Sequence, residues 1–161
     1  MNILVTGGAG FIGSNFLNMF VPKYRDHKYI NLDKLTYAAN LLNLKNLVNI
    51  SNYQFEYGDI TDYGCVERIF EEYEPDLVVH FAAESHVDRS IIGPAEFVKV
   101  NVTGTFNLLE ACRKLWGNDK NKLFLQVSTD KIIANNKSLG DPLGLFLNPV
   151  AEFQSQPTSI T

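Results

Sequence analysis

"NILVTGGAGFIG" (Asn2–Gly13) passes from a short apolar run straight into glycines. An apolar run of this length, bounded by glycine, reads as a strand buried on both faces. The following "FIGSNFLNMFV" has helical spacing, with Ile12, Phe16, Met19 and Phe20 able to share one face. Gly8, Gly10 and Gly13 satisfy G-x-G-x-x-G, and Gly7, Gly10 and Gly13 satisfy G-x-x-G-x-x-G. Small residues are needed there so that the backbone can turn tightly, approach a pyrophosphate and let the helix start pack on the strand. The free amides and positive end of that helix would then hold phosphates.

The alternation continues along the chain. "KYINLD" (Lys28–Asp33) reads as a second strand ending on an acid, and "NLLNLKNLVNI" places Leu41, Leu44, Leu47 and Val48 as a short amphipathic helix. "YQFEYGD" (Tyr53–Asp59) is a third strand, followed by a helix capped by Thr61 or Asp62 and running to about Tyr73. "DLVVHFAA" (Asp76–Ala83) is the fourth strand, Pro94 suits the first turn of a long helix reaching about Trp116, and "KLFLQVS" (Lys122–Ser128) is the fifth. The pattern predicts the α/β class: a Rossmann-like, doubly wound parallel sheet with helices on both faces. Periodicity fails after Ser128, and residues 131–161 hold Pro142, Pro149 and Pro157. The expected organisation is therefore a Rossmann-like domain over 1–130 and a divergent, irregular tail over 131–161, with the sheet incomplete at its C-terminal side.

Length and composition narrow the function classes. With 161 residues, 45% of them hydrophobic and 20% charged, the chain is long enough for one globular core. A net charge of −4 with mixed signs gives no support to nucleic-acid or membrane-surface binding. Cys65 and Cys112 lack metal-type spacing and suit a reducing compartment. No leader precedes "NILVTGG" and no apolar run approaches the roughly 18 residues of a membrane span, so a soluble, cytoplasmic protein without a metal site is expected. Asp33 stands 20 positions after Gly13, where an acid accepts from the adenosine ribose hydroxyls and repels a 2′-phosphate. NAD is thus favoured over NADP, with Lys34 partly offsetting that preference.

The segments "MNILVTGGAGFIGSN", "NLDKLTYAAN", "GDI", "HFAAESHVDRSI", "NVTGTFNLLEA" and "QVSTD" resemble the N-terminal part of the dTDP-glucose 4,6-dehydratases, extended short-chain dehydrogenases/reductases of nucleotide-sugar metabolism. The resemblance runs through about Asp130, and "DKLTYAAN" and "AAESHVDRSI" are its most specific parts. It implies NAD as cofactor. Gly7, Gly10, Phe11, Ile12 and Gly13 would lie along the pyrophosphate, and Asp33, Lys34, Leu35 and Thr36 around the adenosine ribose. Asp59 and Ile60 would reach the adenine. Phe81, Ala82, Ala83 and Ser85 would line the cofactor, with Ser85, His86 and Thr129 facing a sugar nucleotide. Val100 stands where many relatives carry threonine beside the cofactor.

The resemblance also implies an internal redox elimination. A tyrosine, its pKa lowered by a lysine four positions on, removes the sugar C4 hydroxyl proton as hydride leaves. A glutamate and an aspartate then serve as base and acid. Thr129 and Asp130 match the family's threonine and acid, but Lys131 occupies the glutamate position. All seven tyrosines lie at or before Tyr73, and Tyr24–Lys28, which matches Y-x-x-x-K, falls before the second strand. Turnover by this chain alone is not expected. Three readings stay open: a shortened or split enzyme needing a complementing chain, a nucleotide-binding module, and a frameshifted relic. Uncovered apolar faces on the first and fourth helices would favour a homo-oligomer or a marginally stable chain.

Overall fold

The computed structural model describes residues 1–85 and 93–127. Five parallel strands form one sheet in the order β3-β2-β1-β4-β5. They are β1 (Asn2–Thr6), β2 (Lys28–Asp33), β3 (Tyr53–Tyr57), β4 (Leu77–His80) and β5 (Leu123–Gln126). Helices α1 (Phe11–Lys23) and α2 (Tyr63–Tyr73) connect the first strands, and α3 (Pro94–Val98) runs through a π-helical segment, Lys99–Gly104, into α4 (Thr105–Trp116). The central strand β1 is paired on both sides, Thr6 lying opposite Leu32 on β2 and His80 on β4. Strand order reverses direction at β1, so the carboxyl ends of β1, β2 and β4 open a crevice suited to a ligand.

Each face of the sheet has its own core, as the apolar strands require. Ile3, Val5, Tyr29 and Val79 pack with Leu17 and Val21 of α1 and with Leu44 and Leu47. Leu4, Ile30, Leu32 and Val78 pack with Val66, Ile69 and Phe70 of α2 and Leu108 and Ala111 of α4. Alternate residues of β1 therefore face opposite layers, and each fully buried aliphatic side chain contributes about 1.5–3 kcal/mol.

Two sequence expectations change. The buried positions of α1 are Gly13, Ser14, Leu17 and Val21, whereas Ile12 and Met19 are 61% and 64% exposed. The cause is Gly13: a Cβ there would lie 2.4 Å from the Gly7 carbonyl oxygen, so the glycine side of the helix is the one that packs on the strand. Phe16 and Phe20 stack at the border of that face, 4.5 Å between ring centroids. Over residues 41–48 the amphipathic helix is instead a 3-10 turn, Leu41–Leu44, followed by further turns. Amides of Asn43, Leu47 and Ile50 donate to the carbonyls of Asn40, Leu44 and Leu47, three residues back. Leucines spaced by three suit that winding. Leu44 and Leu47 are buried, while Leu41 and Val48 stay exposed.

The other boundaries follow local chemistry. Asp62, of the two candidates, caps α2 by accepting from the amides of Gly64 and Cys65. Pro94 occupies the first turn of α3. Gly104 stands where the long helix meets the loop after β3, and a Cβ there would come within 2.6 Å of Ile60. The glycine's cost in helix propensity, about 1 kcal/mol, is the condition for that approach. One helical side carries exposed Val98, Val102, Phe106 and Leu109.

Glu74, which ends α2, adopts the left-handed conformation (φ 43°, ψ 60°), with its amide bonded to the Phe70 carbonyl. A Cβ is unfavourable there, and glycine is the usual solution. Glu74→Gly is expected to raise stability by about 0.5–1 kcal/mol in urea denaturation, less than the full strain because glycine also gains freedom in the unfolded chain. A loss of stability would contradict the strain assignment.

Candidate functional site

The crevice is built from the glycine turn outward. Gly7 has φ 71°, and a Cβ on it would sit 2.6 Å from the Ala82 backbone nitrogen. No side chain fits between β1 and the segment after β4. Gly10 precedes α1 with extended backbone and no side-chain cap, and its own amide donates to the Gly7 carbonyl. The first bond within the helix is Ser14 N–H to Gly10 O, so the amides of Phe11, Ile12 and Gly13 have no carbonyl a turn back. Free amides at a helix start are groups of the kind that can hold an anion. The Phe11 and Ile12 side chains, 79% and 61% exposed, stand beside these amides.

Asp33 joins this turn to the end of β2. One carboxylate oxygen accepts from the Ala9 amide and the other from the Leu35 amide, both at 2.8 Å. The side chain is only 7% exposed, and each oxygen keeps a second lone pair for a ligand hydroxyl. Leu35 adopts φ 55°, a left-handed conformation that turns the chain sharply past the acid.

A charged group closes the end of the crevice near β3. Lys34 Nζ lies 2.7 Å from Asp59 and 3.7 Å from Glu96 of α3. The bond to Asp59 raises the Lys34 pKa above the ordinary lysine value. Burial pushes the Asp59 pKa up, but Lys34 and the Thr61 amide outweigh it, holding the carboxyl below its usual range. Asp59 also accepts from the Thr61 amide at 2.9 Å, so it combines a turn-capping role with the ion pair.

At the other end, His80 bridges two elements. Its Nδ1 lies 2.6 Å from the Thr6 hydroxyl and its Nε2 3.0 Å from the Thr105 hydroxyl. Thr105 gives its only proton to the Asn101 carbonyl, so Nε2–H donates to Thr105 and bare Nδ1 accepts from Thr6. Thr6 Oγ in turn accepts from the Ala82 amide. This directional chain requires neutral imidazole, and burial pushes the His80 pKa down to about 4. Asn101 clamps the next segment: its Oδ1 accepts from the Glu84 amide at 2.8 Å and its Nδ2 donates to the Glu84 carbonyl at 2.9 Å. The π-helical turn that presents Asn101 follows the frequent siting of such turns at functional positions.

Of the residues singled out in the sequence, Gly7, Gly10, Asp33, Lys34 and Thr36 line one crevice. Asp59, Ile60, Phe81, Ala82 and Ala83 line the same space, together with Val100. Gly13, Leu35 and Ser85 border it, Ser85 being exposed. His86, Thr129, Asp130 and Lys131 lie outside the described residues. The motif reading missed Thr6, His80, Thr105, Asn101 and Glu96, and also Asn107, whose buried side chain donates to the Ile60 carbonyl at 2.9 Å. The signal for His80 was a basic residue ending an otherwise apolar strand. Tyr24 and Lys28 cap α1 and begin β2, at the amino edge of the sheet, away from the crevice.

The described residues include no group of three or more metal-ligating side chains and no helix long and apolar enough to cross a membrane. Cys112 is buried, which pushes its thiol up to about 12 and leaves it unreactive.

A parallel sheet with a glycine turn after β1 and a tethered acid after β2 defines a Rossmann-like protein of the short-chain dehydrogenase/reductase type. The chain belongs to the family described as GDP-mannose 4,6 dehydratase, which it matches over residues 4–135. It is 50% identical over 137 residues to a dTDP-glucose 4,6-dehydratase of Salmonella typhimurium, a match covering 82% of this chain and 38% of that protein. A dTDP-glucose 4,6-dehydratase of Shigella flexneri is 45% identical over 172 residues, covering 99% of this chain and 46% of its own length. That similarity continues past Asp130 into the segment read as divergent. Among solved structures, a Bacillus anthracis dTDP-glucose 4,6-dehydratase in complex with NAD aligns with TM-score 0.71 and 38% identity, over 95% of this chain and 46% of that one. DesIV, the Streptomyces venezuelae dTDP-glucose 4,6-dehydratase with NAD and TYD bound, aligns with TM-score 0.66 and 46% identity, over 71% of this chain and 36% of that one. The chain thus spans less than half the length of these relatives.

The His80 bridge sets a pH dependence. Folded His80 remains neutral down to about pH 4, whereas an imidazole in the unfolded chain takes up its proton near 6.5. Between those values the unfolded state binds more protons, so this contribution is complete above about pH 6.5 and is lost as pH falls. The loss amounts to about 3 kcal/mol by pH 4. Urea denaturation of the native chain should show that decline, and His80→Gln should flatten it. A native profile level between pH 7 and 4 would contradict the neutral bridge.

Proposed function

We propose that this chain is the NAD-binding portion of a dTDP-glucose 4,6-dehydratase-like protein, and that a polypeptide of these 161 residues binds NAD without turning over a sugar nucleotide. The observation carrying the cofactor assignment is the tethered Asp33 carboxylate beside the glycine turn. The residues fit the group: Gly7 and Gly13 leave room where a Cβ would collide with backbone, and the Phe11–Gly13 amides offer donors to a diphosphate. Asp33 and Thr36 would take the adenosine ribose, with Asp59 and Ile60 beside the adenine. Phe81–Ala83 and Ser85 would flank the nicotinamide half. The NAD named with the Bacillus anthracis and Streptomyces venezuelae relatives supports the choice of dinucleotide.

When bound, NAD would supply a reversible hydride acceptor. This chain's own residues would orient it: the Thr6–His80–Thr105 chain fixes the segment after β4, and the Asn101 clamp fixes Glu84. A sugar nucleotide would be met by Ser85, His86 and Thr129. Proton removal at the sugar is the step for which these 161 residues offer no matching group. Lys131 holds the position of the glutamate base, and an ammonium cannot accept a proton at neutral pH without strong desolvation. No tyrosine follows Tyr73 to act with a lysine on a hydroxyl proton. Each missing acid–base step is worth about 10²–10⁴-fold in rate.

Calorimetric titration of the purified chain with NAD should give a micromolar Kd, about −8 kcal/mol. Incubation with NAD and dTDP-glucose should yield no 4-keto-6-deoxy product. Absence of heat at millimolar NAD would contradict the cofactor assignment, and product formation would contradict the lack of turnover.

A further inference from the structure

We propose that Glu96 governs the choice between NAD and NADP by helping Asp59 hold Lys34 away from a 2′-phosphate. The inference rests on the NAD-binding reading and assigns a specificity role to a residue the glycine motif does not include. Lys34 directly follows the acid placed at the adenosine ribose, and an ammonium at that point is the natural partner of a phosphate on the ribose 2′ oxygen. Here its Nζ is already engaged, 2.7 Å from Asp59 on one side and 3.7 Å from Glu96 on the other. Three elements meet at this ammonium: the end of β2, the turn after β3 and the first turn of α3.

The charge balance decides the outcome. Asp33, Asp59, Glu84 and Glu96 place four carboxylates against one ammonium, all lining the same crevice. A 2′-phosphate would bring nearly two further negative charges into that surplus. To meet it, Lys34 would have to give up Glu96, the farther of its two carboxylates. Asp59 is fixed by the Thr61 amide and is the more buried partner, its side chain 25% exposed. Glu96 is the adjustable member, with a 51% exposed side chain reaching Lys34 from across the crevice. An acid in the first turn of α3 would also suit the helix dipole without touching Lys34, and that plainer role predicts no effect on dinucleotide choice. With Glu96 neutral, Lys34 keeps Asp59 but has a free side from which to meet a phosphate.

The test is the ratio of Kd values for NAD and NADP, measured by titration of the native chain, Glu96→Gln, and Glu96→Gln combined with Lys34→Met. The ratio should move toward NADP by about threefold to tenfold in Glu96→Gln, the effect of removing one exposed charge a few ångströms away. It should return to the native ratio or below when Lys34 is also removed. NAD binding with an unmoved ratio would overturn this inference alone. A shift that persists without Lys34 would also overturn it, showing direct repulsion by Glu96 instead. Failure of the native chain to bind NAD would overturn the cofactor reading and this inference with it.

Discussion

The Asp33 carboxylate is the joint on which the crevice depends. Its two oxygens accept from Ala9, inside the glycine turn, and from Leu35, past the end of β2. Both amides lie in segments that leave the sheet and cannot be satisfied by strand pairing. A buried N–H without a partner costs about 1–3 kcal/mol, so the acid removes that penalty at buried Ala9 while its bond to Leu35 sets the geometry between the glycine turn and the end of β2. A carboxylate suits this role better than an amide because both its oxygens only accept.

From that joint the constraints propagate through glycines rather than side chains. Gly7 lets the turn pass the Ala82 backbone, and Gly13 brings α1 onto β1. Gly104 performs the same service on the opposite layer, drawing the long helix against Ile60. The close approaches are thus main chain on main chain at Gly7 and Gly13 and main chain on the Ile60 side chain at Gly104, with polar side chains tying the segments together. His80 links β1 to α4 through Thr6 and Thr105, while Asn101 and Asn107 link the long helix to the loops after β4 and β3.

Strand positions and the parallel class were legible because buried strands announce themselves as apolar runs and their carboxyl ends as glycine or acid. The phase of α1 was not read correctly, because apolar content pointed to Ile12 and Met19 while close packing selected the side carrying Gly13. The glycine motif itself held that information. The segment around Leu44 misled for another reason: leucines three apart fit either helix type, and only hydrogen bonds distinguish them. Asp33, Asp59 and the glycines were legible as a constellation because each stands at the carboxyl end of a strand, at a spacing the strand–turn–helix repeat sets. His80, Asn101 and Glu96 were not, since their partners lie far along the chain and no local pattern marks them.

The most direct test is amide hydrogen exchange at Ala9, compared by NMR between the ligand-free native chain and Asp33→Asn. Asparagine keeps the shape but replaces one acceptor with a donor, so the Ala9 or Leu35 amide must face an N–H group. If the acid is the joint, Ala9 exchange should accelerate by about tenfold or more, matching a loss of at least about 1.4 kcal/mol, while Val79 in the core of β4 keeps the protection set by global stability. Unchanged protection at Ala9 and Leu35 in the variant would contradict the account.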